Sequence, residues 1–480
     1  MGLKKNILYN SALTISNYIF PLIVYPYVSR VLGVTNIGLC NFIDSIINYV
    51  ILFSMMGITI MGNRLIAEDR AHNVSLDSSF SSIFALNSLS TIVSLVFLFV
   101  AVILVPELAQ QKEMICYGAI KVVSNFLLIE WFYRGLEDFK YITIRTILVK
   151  CLYVVAVFIL VRSETDYKMY YLLTVLMVTF NAVINIWYSK NFARFKFGLI
   201  RFKTILKPFF LLGAYMLITS FCRAFNTVFL GFVTNDTQVG YFTTATKLFS
   251  IFLALFTAVT VVIMPRMSNL LASEEIEVFK LLLKKTIKLL FDFSIPLIIF
   301  SIIFSPEIIY LISGPGYEGA NTPMRIIMLM ILINGYEQIT VIQCLMPLNK
   351  DKVIMFISSG GAVVSIILNV LLVRNLESVG AAIAMTSAEF TVLVLSQIYM
   401  SKYIQIKFPF KDFFKSIVSY IPLTLVLLGV YYLCPTTYWM ELIISGGISL
   451  IYFIIVQFFI NKNPYLLSFI SKLQSKFQRL

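Results

Sequence analysis

The sequence predicts an all-α polytopic membrane protein of about 14 transmembrane helices: two pseudo-symmetric six-helix lobes followed by two C-terminal helices. Three observations carry that prediction. The 480 residues are 59% hydrophobic and only 13% charged, against roughly 45–50% apolar and 25% charged in soluble domains. Apolar runs of about 20 residues, enough to cross a hydrocarbon core of about 30 Å, recur from end to end. Lysine and arginine crowd into alternate loops, as the positive-inside rule requires.

Taken in order, the runs lie near 12–32, 42–62, 82–105, 114–133, 141–161, 169–189, 208–232, 242–264, 287–305, 323–346, 353–373, 380–400, 416–434 and 441–460. They are too long for the roughly ten-residue alternating strands of a barrel. Lys4 and Lys5 ahead of the first run resemble a signal peptide. The run is long and no small-residue cleavage site follows, so it reads as an uncleaved first span. With this spacing 28 of the 38 Lys and Arg residues fall on one side and six on the other (Arg30, Lys112, Arg162, Lys168, Arg325 and Arg374). Both termini are therefore expected in the cytoplasm. The net charge of +14 is then explained by cytoplasmic loops, and no nucleic-acid partner is expected.

The densest basic loop, SKNFARFKFGLIRFKTILK (189–207), divides the chain. The predicted organisation is a six-helix lobe over 1–189, a basic cytoplasmic linker over 190–207, and a second lobe over 208–400. Residues 401–480 supply two further helices and a basic amphipathic tail. A repeat supports this division. Gly38 precedes Arg64 by 26 residues, and Gly240 precedes Arg266 by 26, both pairs being offset by 202. The surrounding text agrees in kind, VTNIGLCNF against NDTQVGYFT. Six spans per repeat is an even number, so the repeats enter the membrane in the same direction, and substrate sites in such folds form at the repeat interface near the midplane.

Ionisable residues within spans cost roughly 2.5–3.5 kcal/mol on insertion scales and mark function by default. Here they are Asp44, Lys121, Glu130, Lys150, Arg223, Lys247, Glu337 and Glu389, with Arg30 and Asp292 nearer span ends. Arg30 and Arg325 are close enough to an interface to snorkel, and Asp292 and Glu130 are candidates for capping or pairing. Lys121, Arg223 and Lys247 have little room to reach water and should face a bundle interior or wet cavity. By the repeat offset Asp44 maps onto Thr246, beside Lys247. Several cations in one cavity suit an anionic substrate such as a phosphate or pyrophosphate. In the first span, NYIFPLIVYPYVSRVLGVTNIG, Pro21 and Pro26 each remove a backbone hydrogen bond and would let the helix bend.

Enzymatic chemistry finds no support. The six cysteines are scattered without ligand spacing, the one histidine is His72, and no metal site is expected. No GxxxxGK[ST] loop is present. The longest outer loop, PEIIYLISGPGYEGAN (306–321), is too short for a catalytic domain. SEEIEVFKLLLKKTIKLL (273–290) and YLLSFISKLQSKFQRL (465–480) are amphipathic and are expected along the cytoplasmic interface.

RVLGVTNIGLCNFIDSII with GITIMGNRLIAEDR resembles the first two spans of Wzx-type polysaccharide flippases. EWFYRGLEDFKYITIRTILVK (130–150) is similar to that family's motif joining spans four and five, and LISGPGYEGA to its outer-loop motif. The resemblance covers most of the chain and weakens after about residue 400. It implies membership of the superfamily that also holds MATE multidrug exporters and lipid II flippases. It further implies a two-lobe alternating-access fold in a bacterial cytoplasmic membrane. The implied substrate is an oligosaccharide on undecaprenyl pyrophosphate, for O-antigen, lipopolysaccharide or capsule synthesis. Polysaccharide polymerase and other assembly proteins are implied partners.

In the related lipid II flippases an arginine ending the first span lines the cavity, and Arg30 stands at the matching place in RVLG. Arg64 and Asp44 match more loosely. Phe232 occupies the position where the repeat would put a partner for Arg30, so cationic lining in the second lobe falls to Arg223 or Lys247. The expected substrate-binding set is thus Arg30, Lys121, Arg223, Lys247 and Arg64. Asp44, Glu337 and Glu389 are the candidates for coupling to a Na⁺ or H⁺ gradient, and no other cofactor is expected. The alternative is a MATE-type cation-coupled multidrug exporter, whose cavities favour acidic linings.

Overall fold

The computed structural model describes residues 3–348, 350–433 and 437–460, and every regular element among them is helical. Among the described residues, ten helices are long and apolar enough to cross a membrane. With Phe202–Val233 and Asp236–Ala272 as additional long helices, and with two of the ten each long enough for two passes, fourteen passes are compatible with the fold.

In chain order the first half comprises α1 (Leu3–Met55), α2 (Ile58–Ala71), α3 (Asp77–Leu104), α4 (Pro106–Gln110) and α5 (Lys112–Leu128). It continues with α6 (Glu130–Gly135), α7 (Phe139–Leu160), α8 (Tyr167–Ser189) and α9 (Phe202–Val233). The second half comprises α10 (Asp236–Ala272), α11 (Ile276–Ile303), α12 (Ser305–Ser313), α13 (Asn321–Ile327) and α14 (Met330–Glu337). After a π-helical stretch, Gln338–Leu345, come α15 (Asp351–Ile404), α16 (Phe410–Leu433) and α17 (Tyr438–Ile455).

At about 1.5 Å per residue, the 53 residues of α1 are more than twice as long as a bilayer core is thick. The helix breaks at Gly33, with φ 74°, a left-handed conformation glycine adopts without a Cβ penalty. Two expected spans thus meet at one residue instead of across a loop. The prolines lie within the helix on the N-terminal side of that break. The 54-residue α15 behaves likewise, breaking at Glu377 with φ 50°. The acidic-to-basic segment 273–290 does not form a separate interfacial helix. It supplies the first turns of α11, because Phe279, Leu283, Ile287 and Leu290 bury one face that runs straight into the span. The tail 465–480 lies outside the described residues.

The chain forms two compact units, one of residues 1–243 with 362–384, the other of residues 244–361 with 385–480. The first unit has a core around Trp131, Phe132, Ile66, Phe80 and Phe209. The second has a cluster of Val341, Leu345, Ile354, Ile357 and Val392.

The basic linker is docked on the first turns of α3. The Arg194 and Arg201 amides donate to Asp77 Oδ1 and Ser82 Oγ, both at 2.9 Å, and the Lys196 amide donates to Ser81 Oγ at 2.8 Å. Lys196 Nζ pairs with Asp77 Oδ2 at 2.6 Å. Asp77 thus holds a side-chain charge and a backbone amide of the linker together. Asp77→Ala is expected to speed tryptic cleavage at Arg194 and Lys196 several-fold in the detergent-solubilised protein, without moving its main melting transition. An unchanged cleavage rate would show that the other contacts suffice.

Candidate functional site

The first unit concentrates the intramembrane charges, and close helix approach explains their pairing. Gly118 on α5 has no room for a Cβ against Ile47 of α1. Lys121 lies three residues after Gly118 and Asp44 three before Ile47, on the same helix faces as those contacts. Lys121 Nζ accordingly pairs with Asp44 Oδ1, while Asp44 Oδ2 accepts from Asn48 Nδ2 at 3.1 Å. The Lys121 side chain is only 14% exposed. One ion pair therefore joins an expected substrate cation to an expected coupling carboxylate.

A second polar centre grows from EWFYRGLEDFKYITIRTILVK. The fourth expected span breaks at Ile129, which is left-handed with φ 40°. Asn185 of α8 donates its amide to the Leu128 carbonyl that the break exposes. The Asn185 Oδ1 accepts from Arg145 Nη1 and, at 3.0 Å, from Tyr141 Oη, while Tyr133 Oη donates to the Asn185 carbonyl. Arg145, 4% exposed, also reaches Glu130 Oε1 at 3.2 Å, and Glu130 Oε2 lies 3.5 Å from Arg134. Trp131, Phe132 and Tyr133 are buried beside it, and Gly62 and Gly135 admit Trp131 and Ile66 at close range. A cleft of about 580 Å³ opens alongside, with Lys140 and Arg145 at its polar part and Ile144, Leu148 and Leu152 on its apolar wall.

Arg30 is exposed on α1, and Arg64 is exposed on α2 in an ion pair with Glu68 at 2.9 Å. Lys150 donates to Asn17 Oδ1 at 2.6 Å and Ser16 Oγ at 3.3 Å, joining α7 to α1. The Arg223 side chain lies outside the described residues. Lys247 and Glu337 belong to the second unit and are half-buried, Glu337 at the onset of the π-helical stretch. Glu389 is half-buried on α15. Asp292 accepts from Ser416 Oγ at 2.8 Å, and its carbonyl from Tyr420 Oη at 3.0 Å, which ties α11 to α16.

One polar group of the second unit escapes a reading of the sequence. Glu307 in the first turn of α12, within a stretch that reads as an outer turn, is 5% exposed. Burial raises its carboxyl above the ordinary range, as does Glu441, while Arg325 opposes the shift. The Pro-Glu start of a short apolar helix was the only signal in the sequence.

Two outcomes follow from these pairings. Asp44→Asn strands the Lys121 ammonium and should cost about 2 kcal/mol, below the roughly 3–5 of a wholly buried broken pair because Asp44 is partly exposed. The double variant Asp44→Asn with Lys121→Met should melt higher than Asp44→Asn alone; equal melting would show no coupling. For Glu307, the folded state keeps a proton that the unfolded chain has already released. Stability should therefore fall as pH rises from the ordinary carboxylate range through the raised value. Glu307→Gln should flatten that fall in thermal melts across pH, and an unaltered slope would assign it to other groups.

With this geometry in view, the relatives identify the chain. The family described as polysaccharide biosynthesis protein matches residues 3–271, and the MatE family matches residues 212–371. A putative O-antigen transporter of Escherichia coli (strain K12) is 23% identical over 407 residues, 83% of this chain and 97% of the relative. One from Shigella dysenteriae is 24% identical over 405 residues, 82% and 98% of the two chains. Among solved structures, lipid II flippase MurJ in an inward closed conformation superposes with a TM-score of 0.76 at 16% identity, covering 94% of this chain and 99% of that one. An inward-facing MATE multidrug resistance transporter gives a TM-score of 0.65 at 12% identity, covering 80% and 94%. The chain belongs to the polysaccharide biosynthesis protein family, and its fold is that of MurJ and the MATE transporters.

Proposed function

We propose that this protein is a flippase that carries undecaprenyl-pyrophosphate-linked oligosaccharide units across the bacterial cytoplasmic membrane, both its termini being cytoplasmic. The observation that carries the proposal is that O-antigen transporters align with this chain over 97–98% of their own length. The intramembrane charges support it chemically: Arg30, Lys121, Arg223 and Lys247 are cations suited to a pyrophosphate, with Arg64 a further basic group on α2. The polyprenyl chain stays in lipid, and the soluble sugar passes by alternating access.

The Asp44–Lys121 pair supports a coupling step. A cation such as Na⁺ bound beside Asp44 would weaken its hold on Lys121 and free that ammonium for an anion. Glu337 and Glu389 are the candidate coupling carboxylates of the second unit. The match of residues 212–371 to the MatE family favours a second reading, cation-coupled multidrug export, against which the cations Lys121, Arg223 and Lys247 within the spans count.

Arg30→Ala, Arg223→Ala and Lys247→Ala are each expected to lower surface polysaccharide at least tenfold in the host strain, while the protein still inserts and lipid-linked units accumulate. Normal polysaccharide in all three would refute the cationic site. A deletion strain with unchanged polysaccharide and raised drug susceptibility would favour the exporter.

A further inference from the structure

The cleft of about 580 Å³ beside the break at Ile129 has a charged end and an apolar wall, and the proposed transport uses neither. Lys140 and Arg145 line the one, Ile144, Leu148 and Leu152 of α7 the other, and Tyr188 of α8 joins them. Ile144, Leu148 and Leu152 are exposed and stand four residues apart, on one face of the helix, and exposed Val155 continues the row. From Ile144 to Val155 the row is about 17 Å long at 1.5 Å per residue, close to half of a hydrocarbon core of roughly 30 Å. Trp187, exposed on α8 next to Tyr188, sits where headgroups are expected, since tryptophan gathers at membrane–water interfaces.

Charge is not balanced around this cleft. Lys140 is exposed and joins no ion pair among the described residues. Arg145 is shared between Glu130 and Asn185, yet its Nε is buried without a partner. Asp138, the carboxylate of the lining, accepts from the Tyr141 amide at 3.3 Å and so caps α7. Arg134 also faces Glu130, at 3.5 Å, and Glu137 is taken up by Arg70. Three cations, Arg134, Lys140 and Arg145, thus stand against two carboxylates, Glu130 and Asp138, which leaves one positive charge over.

We propose that the cleft is a binding site for an anionic phospholipid of the cytoplasmic leaflet, with its phosphate beside Lys140 and one acyl chain along Ile144, Leu148 and Leu152. The leaflet follows from the basic loops at this end of α7 and α8. A lipid of one leaflet fits better than a polyprenyl carrier. The apolar row ends near mid-membrane, and one excess positive charge matches a phosphodiester, where a pyrophosphate would bring more. The headgroup would stand next to the side chains that close the break at Ile129, so lipid binding and the integrity of that break are linked.

The site is independent of the cargo, and so is its test. Phosphatidylglycerol titrated into the purified full-length protein in detergent should be retained in native mass spectra at least fivefold more than phosphatidylethanolamine. It should also raise the melting temperature, because a ligand of the folded state alone stabilises it. Lys140→Glu, a change at an exposed position, should remove the preference for phosphatidylglycerol. Leu148→Trp, which fills the apolar wall, should lower its retention at least threefold. Equal retention of the two lipids by the unaltered protein would reduce the cleft to ordinary annular contact and overturn the site, as would retention unchanged in either variant. Displacement of bound phosphatidylglycerol by an equal amount of undecaprenyl phosphate would overturn it too, by assigning the cleft to a polyprenyl lipid. Failure of the flippase reading would leave all of these outcomes as they stand.

Discussion

A charge placed in hydrocarbon must bring its partner with it, and much of this structure answers to that constraint. An unpaired Lys, Arg or Asp at mid-membrane costs roughly 2.5–3.5 kcal/mol. The chain meets the cost by bringing helices close enough for opposite charges or amides to touch. Gly118 lets α5 press on α1 until Lys121 reaches Asp44. Lys150 uses Asn17 and Ser16 of α1 in place of a carboxylate. Packing and charge neutralisation are one event here, since the small residue that admits the neighbouring helix sits a turn from the charge it protects.

The segment EWFYRGLEDFKYITIRTILVK meets the same constraint at a helix break. A helix cannot break in a bilayer unless something else satisfies the freed backbone groups. At Ile129 that task falls to Asn185, which binds the Leu128 carbonyl while Arg145, Tyr141 and Tyr133 hold the rest of its polar atoms. EWFYRG and the arginine fifteen residues after its glutamate thus close a break. Their role here is structural before any substrate is invoked.

Hydropathy and loop charge were enough to read the helical membrane fold from the sequence, because about 20 apolar residues leave a segment few alternatives to spanning. Periodicity could not reveal that expected loops near residues 33 and 377 are single-residue breaks, since φ > 0 leaves no hydrophobic signature at Glu377. Nor could it reveal which charges meet. Asp44 and Lys121 are 77 residues apart, and nothing in either helix's own pattern points to the other. Glu307 was hidden because a short helix packed under others reads as a turn when only its own residues are considered. The repeat fared better: the offset of 202, inferred from two glycine–arginine pairs, recurs as physical contact at Thr35–Thr237 and Asn41–Thr243.

A residue that meets its own counterpart must be able to complement itself. A hydroxyl can, because one group both donates and accepts; two carboxylates would repel, two ammonium groups likewise, and two apolar side chains would be indifferent to register. Thr35 facing Thr237 therefore occupies a position that excludes like charges, while a neutral polar change on one side alone can keep the bond, as Asn41 facing Thr243 shows. The spot is thus less free to drift than its exposure to solvent would suggest.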